Sequence, residues 1–256
     1  MPREDIESIL ERKVEALRKK DKSTEDRKVI DEVFDKETLL AVYKLMKEGI
    51  VDTVEFSIST GKEGNVFLAT TPKGNFIALK IFRISTATFK RISRYIEGDP
   101  RFRGILGSHR KIIFAWTNKE FRNLHRLHSA GVRVPVPIRF HRNLLVMEYI
   151  GDENSPSPLL REVVLEDPEK VYNTLVDYVK RAYQKAELVH GDLSEYNVLI
   201  RDGEPVIIDC GQALLTEHPN AIDFLKRDVE NLNRYFRRLG VNVMESESMI
   251  KMIVGG

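Results

Sequence analysis

The chain lacks the features of a secreted or membrane protein. Its 256 residues hold one cysteine, Cys210, so no internal disulfide can form and a reducing, cytoplasmic setting is expected. No apolar run approaches the roughly 20 residues that a spanning helix needs. The opening MPREDIESILERK is too charged to read as a signal peptide, so no membrane contact is expected. An excess of charge of one sign is also missing. Lys and Arg number 41 against 39 Asp and Glu, and a net charge of +2 makes no case for nucleic acid from bulk charge. Only local clusters can make that case. Repeats and low-complexity tracts are absent too. What is there is 42% hydrophobic and 31% charged, enough for one large or two small domains with an ample core.

The first fifty residues read as helical. Ile6, Ile9, Leu10, Val14 and Leu17 fall on one face, Ser23 and Asp26 have capping-box spacing, and ETLLAVYKLMKEG ends on Gly49 as its C′ residue. Such a preface either packs on the main domain or binds a partner. From Val51 the period becomes that of strands. VEFSIST, NVFLATT and NFIALKIF predict an antiparallel meander, with a turn at Pro72-Lys73-Gly74. A helix is expected over 114–128, ending at Gly131. Pro135 and Pro137 bar helix, and RNLLVMEYI reads as a buried strand. The stretch 151–158 is the best linker. Beyond it come a helix over 168–187, two short strands, and a helix over 222–239 carrying Leu225, Val229, Leu232, Phe236 and Leu239. The division is therefore a helical extension (1–50), a β-rich lobe (51–147) and a helical lobe (148–256). A cleft between lobes is a common ligand site.

The most informative stretch is His190–Gln212, HGDLSEYNVLIRDGEPVIIDCGQ. Asp192 precedes Asn197 by five residues, and a strand-turn-strand then leads to Asp209. Magnesium-dependent phosphoryl transfer needs one carboxylate to meet the attacking hydroxyl, and an amide and a carboxylate to hold the metal. Oxygen donors suit Mg²⁺ (or Mn²⁺), and few protein ligands are needed because substrate phosphates and water complete the shell. Asp192 is the expected base or orienter, and Asn197 and Asp209 the metal ligands. Ser194 adds a donor near the γ-phosphate. His190 braces the loop, and Asp228 accepts N–H bonds from it.

Upstream residues complete a nucleotide site. In Ser59-Thr60-Gly61-Lys62-Glu63-Gly64, two glycines admit phosphate to backbone N–H groups, and two hydroxyls and a lysine add donors. The segment is not a Walker A loop, and by itself a Gly-rich hairpin turn says little. Lys80, on an apolar strand, is spaced to pair the α/β-phosphates, with Glu120 the carboxylate to hold it. The plain alternatives are an edge lysine and a solvated glutamate. Met147 lines an adenine pocket, and the backbones of Glu148 and Ile150 bond the base; otherwise this is the end of a buried strand. The segment 83–111 holds Arg83, Lys90, Arg91, Arg94, Arg101, Arg103, Arg110 and Lys111 with Phe89, Tyr95 and Phe102 interleaved. It suits RNA or a phosphorylated partner, or is a solvated loop.

At STGKEGNVF, ALKIFR, KEFRNLHRL, LLVMEYIG, HGDLSEYNVLI and IIDCGQA the chain resembles the RIO family of atypical protein kinases, most closely its type 1 branch. The resemblance spans about residues 55–212. It implies an α+β, two-lobed, protein-kinase-like fold with a trimmed C-terminal lobe and an N-terminal helical extension. It also implies ATP- and magnesium-dependent Ser/Thr phosphorylation, including autophosphorylation, an ATPase switch, and a part in maturing the small ribosomal subunit with its rRNA. Asp-Cys-Gly stands where ordinary kinases have Asp-Phe-Gly, HGD where they have HRD, and no Ala-Pro-Glu follows. The usual peptide platform is therefore not expected. Two other readings stay open. One is a small-molecule phosphotransferase of the aminoglycoside or choline kinase kind, which shares the HGD loop. The other is a nucleotide-binding ribosome-assembly factor with little transfer activity.

Overall fold

A computed structural model describes residues 34–61, 63–84, 92, 108–153 and 155–255. The expectations for residues 1–33, for Lys62 and for most of the basic segment lie outside the described residues. The described chain divides into two compact units. The first takes residues up to Ile92 with 108–118 and 138–149, and the second takes 119–137 and the chain from Ile150 onward.

In the first unit, helix α1 (Lys36–Lys47) starts at Asp35, whose carboxylate accepts the Thr38 N–H at 2.8 Å. It stops before Gly49, which takes φ 70°. Thr38, Ala41, Val42 and Leu45 recur at helical spacing and form its buried face. The meander follows as β1 (Thr53–Thr60), β2 (Gly64–Thr70) and β3 (Phe76–Phe82), all antiparallel. Helix α2 (His109–Ser129) begins in this unit. It starts five residues before the expected 114, because Ile112, Ile113 and Trp116 supply a buried face that the basic residues around them hide in the sequence. Arg110 is thus a helix residue paired to Glu37 at 2.6 Å.

Strands β4 (Pro137–His141) and β5 (Leu144–Glu148) complete a five-stranded sheet in the order β1-β2-β3-β5-β4. The sequence reading missed β4. Pro137 does exclude helix, but as the first residue of an edge strand it needs no ladder N–H. The sheet presents two apolar faces. Phe67, Ala69, Ile77, Leu79, Ile81, Leu144 and Val146 pack with Ala41, Val42 and Leu45 of α1. Leu68, Ala78 and Tyr149 form the opposite cluster, edged by the partly buried Ile58, Val66 and Met147. Alternation along β3 therefore puts Lys80 on the face of Ala78, away from the α1 side.

In the second unit, helix α3 (Pro168–Gln184) opens with Asp167 accepting the Lys170 N–H at 2.9 Å and with proline in its first turn. It ends earlier than expected, and residues 188–189 form strand β6 (Leu188–Val189) instead. β7 (Val198–Arg201) and β8 (Glu204–Ile207) pair as a hairpin. Asp202 and Gly203, both with positive φ, make its turn. β9 (Leu214–Leu215) pairs with β6. Helix α4 (Ala221–Arg238) buries Leu225, Val229, Leu232 and Phe236, while Leu239 lies past its end as the cap and is exposed. Helix α5 (Ser246–Val254), β6 and β9 were not anticipated; they are too short for periodicity to mark them. The 151–158 stretch is no free linker. Ser157 donates to the Ile150 carbonyl at 2.9 Å, and Pro158 accepts the Ile200 N–H at 2.9 Å. No helix among the described residues is long and apolar enough to cross a membrane.

Candidate active site

The first unit carries the residues expected at the nucleotide. Ser59 and Thr60 end β1, exposed, opposite Val66 and Asn65. The turn closes where Gly61 donates to the Gly64 carbonyl at 2.9 Å. A Cβ on Gly64 would lie 2.4 Å from the Ile81 carbonyl oxygen, so β2 can run this close to β3 only with glycine there. Arg83 clasps the turn from the end of β3. Its N–H donates to the Glu63 carbonyl at 3.0 Å, and Nε and Nη2 donate to Oδ1 of the fully buried Asn65 at 3.2 and 3.0 Å. This clasp, which the sequence reading did not see, joins residues 18 and 20 positions apart.

Lys80 is 8% exposed, with Nζ 4.9 Å from the Phe82 ring centroid. It shares its face with Ala78, beside Val66, Leu68 and Met147, an apolar strip suited to a flat ring. Met147 and Glu148 are the last residues of β5, opposite Ala78 and Ile77. In the second unit, the Ile150 carbonyl accepts the Ser157 N–H at 2.9 Å. Glu120 on α2 is 1% exposed, a buried carboxylate rather than a solvated one.

The loop between β6 and β7 holds Asp192, Ser194 and Asn197. The hairpin register brings Asn197 and Asp209 together. Asn197 immediately precedes β7, and its carbonyl accepts the Ile208 N–H at 3.0 Å, next to Asp209. The Asn197 Nδ2 donates to the Asp192 carbonyl at 2.8 Å and to its Oδ2 at 3.3 Å. That commits the Nδ2 end of the amide to Asp192. Asp209 sits in the left-handed region at φ 58°, ψ 58°, a conformation rare outside glycine and asparagine and enriched at functional sites. The turn after it is anchored by Asn123 of α2, whose Nδ2 donates to the Cys210 carbonyl at 2.8 Å and the Ala213 carbonyl at 3.4 Å. Burial pushes the Asp192 carboxyl above its usual range; His190 opposes this and the Asp209 charge adds to it. The Ser194 Oγ accepts the Tyr196 N–H at 3.4 Å, which leaves its hydroxyl proton to donate.

The main chain around Asp192 is held largely by side chains. Asp228 of α4 accepts N–H bonds from Gly191 at 2.7 Å and Leu193 at 2.8 Å. Burial raises its carboxyl to about 6, against the pull of His190 and those two N–H groups. The Asp192 N–H lies 3.3 Å from His190 Nδ1, and His190 Nε2 lies 3.1 Å from the Ile208 carbonyl. Arg227 donates to the Gly191 carbonyl, and Asn231 Nδ2 to the Leu193 carbonyl at 3.1 Å. The sequence reading found Asp228 and His190 but not Arg227, Asn231 or Asn123. The only signal for them was polar residues on the inner face of otherwise amphipathic helices.

An oxygen-donor pair at the two ends of a hairpin, beside a caged carboxylate, is the arrangement of a protein-kinase-like phosphotransferase. A family model described as the RIO domain matches residues 65–249. The chain is 43% identical to the RIO-type serine/threonine-protein kinase Rio1 of Haloferax volcanii, over 96% of this chain and 84% of that one. It is 40% identical to its counterpart in Methanocaldococcus jannaschii, covering 99% and 86%. Against the human serine/threonine-protein kinase RIO1 it is 38% identical, over 96% of this chain but 44% of the longer protein. Among solved structures, the Rio2 kinase-ADP/Mg²⁺-phosphoaspartate complex from Chaetomium thermophilum aligns with TM-score 0.66 and 26% identity, covering 84% of this chain and 65% of that one. The chain belongs to the RIO family, in its type 1 branch.

Proposed function

We propose that this protein is an ATP- and magnesium-dependent atypical serine/threonine kinase. The observation that carries the reading is Asn197, whose Nδ2 donates to the Asp192 carbonyl and carboxylate and whose main-chain carbonyl accepts the Ile208 N–H next to Asp209. Asp192 orients the acceptor hydroxyl and takes its proton. Asn197 and Asp209 hold Mg²⁺, or Mn²⁺, which neutralises phosphate charge when bound. Lys80, braced by Glu120, pairs the α/β-phosphates. Ser59, Thr60, Gly61, Lys62 and Glu63 cover them, and Ser194 donates near the γ-phosphate. Met147 and the backbones of Glu148 and Ile150 receive the adenine. In this reading 51–147 supplies the nucleotide-binding strands and 148–256 the transfer loop.

The acceptor includes the chain itself, and the setting is small-subunit maturation in the cytoplasm, with rRNA met through the basic 83–111 segment. Lys90, Arg91, Arg94, Arg101 and Arg103 and the aromatics between them support that contact. A second reading has a specific observation behind it. The Chaetomium relative was solved with phosphoaspartate, and Asp192 and Asp209 here lie close enough to interact electrostatically. One of these carboxylates would then accept the γ-phosphoryl as ADP leaves, and water would release phosphate. Incubation with γ-labelled ATP and Mg²⁺ separates the readings. Acid-stable label on serine or threonine supports kinase transfer. Hydroxylamine-labile label with free phosphate supports the switch. No label and no phosphate release sinks both.

A further inference from the structure

Backbone outside helices and sheets has no ladder to satisfy its polar groups, so each must find another partner. From Gly191 to Leu193, each does so on a side chain. The N–H groups of Gly191 and Leu193 go to Asp228, and that of Asp192 to His190. The carbonyl of Asp192 goes to Asn197, that of Gly191 to Arg227, and that of Leu193 to Asn231. Arg227, Asp228 and Asn231 project from one stretch of α4. Farther along the same helix, Arg238 pairs with the Glu195 carboxylate at 3.1 Å. The loop is therefore mounted along α4 at alternate residues, 191, 193 and 195.

Among the α4 residues of this mounting, Asn231 is the one whose role depends on which way its amide faces. Its Nδ2 donates to the Leu193 carbonyl; turned over, it would set oxygen against oxygen. Arg234, one turn along the helix, donates through Nη2 to Asn231 Oδ1 at 2.5 Å. Arginine has donors and no acceptor, so it can bond only the oxygen end of the amide and holds the nitrogen end towards Leu193. We infer that the Arg234–Asn231 pair is a positioning device for phosphoryl transfer, fixing the Leu193 carbonyl and with it the pose of the Asp192 carboxylate. Neither residue is a catalytic residue, since each acts through the loop. The inference rests on the kinase reading for its kinetic consequence but not for its structural one.

Asn231→Asp is the sharpest test, because it keeps shape and the Arg234 partner but turns an acceptor to Leu193. We expect kcat to fall at least ~10-fold, since small misplacements of a reacting group are costly, with KM for ATP within about twofold. Arg234→Ala should lower kcat less, and should add nothing in the Asn231→Asp background. Amide hydrogen exchange without nucleotide should quicken at residues 191–195 in both single variants while α3 stays protected. Unchanged kcat in Asn231→Asp, an additive double-mutant cycle, or unchanged exchange in the loop would each overturn the inference. A wild-type protein with no ATP turnover would instead sink the kinase reading, and the exchange measurement would then decide this one alone.

Discussion

The two loops expected to meet ATP are built on opposite plans. The 59–64 turn is held mainly by main chain: a closing bond from Gly61, a close approach at Gly64, and the Arg83 N–H on Glu63, with the Arg83 side chain reaching Asn65. Its tip is exposed. The 190–197 loop is held by side chains, from α4 and from its own two ends, with Asp228 buried and no backbone group of Gly191–Leu193 left to water. A turn of the first kind can shift with the phosphates it covers. A loop of the second kind holds its carboxylate in one place. The contrast suggests that nucleotide affinity and transfer rate are separable here, and substitutions can test it.

The largest effect is expected at Asp192. Asp192→Ala should lower transfer by about 10³-fold while ATP affinity, measured by isothermal titration, stays near wild type. Wild-type transfer in this variant would end the assignment. Next comes Asp228→Ala, which strands two buried N–H groups. It should cut kcat about 10²-fold and cost on the order of 3 kcal/mol in stability, read by single-turnover kinetics and urea melts.

The same residue makes a pH prediction. The Asp228 carboxyl stands at about 6 in the folded protein against a usual value of 3.8, so the folded state binds its proton more tightly. That stabilisation is complete below the unfolded value and is lost as pH rises through about 6. The swing is on the order of 3 kcal/mol for a carboxyl this deeply buried. Between pH 4 and 7 the wild type should therefore lose stability relative to Asp228→Asn. Parallel melting curves for the two proteins would count against it.

Smaller effects belong to the other loop. Gly64→Ala should separate β2 from β3 at one point, costing about 2 kcal/mol and raising KM for ATP more than it lowers kcat. Arg83→Met should raise KM for ATP only a few-fold, since a part-buried clasp of neutral acceptors is worth about 1–3 kcal/mol. If either variant changed kcat and left KM alone, the division between an adaptable turn and a fixed loop would be wrong.

The fold was legible wherever order is local. The β1–β3 meander follows from alternation and a Pro-Lys-Gly turn, and α1, α3 and α4 from helical spacing and their end signals. β4 was hidden by proline, and the start of α2 by the basic residues around Ile112, Ile113 and Trp116. Short pieces such as β6, β9 and α5 carry too few residues to leave a period. At the candidate site, the nearness of Asp192, Asn197 and Asp209 could be read because they lie close along the chain, in one loop and the hairpin that follows it. Arg227, Asn231 and Asn123 could not, since each bonds main chain 36, 38 and 87 residues away. A polar residue on a helix gives no sign of which carbonyl it will meet.

The sequence alone determined the class of chemistry, because phosphoryl transfer needs particular donors in a particular order and those donors lie close along the chain. It also determined the β1–β3 meander through residue alternation and a turn signal. Only the tertiary structure decided how the Asp192 carboxylate is held. Its cage is made of long-range bonds between side chains and main chain, which depend on where a distant helix packs and leave no period in the sequence.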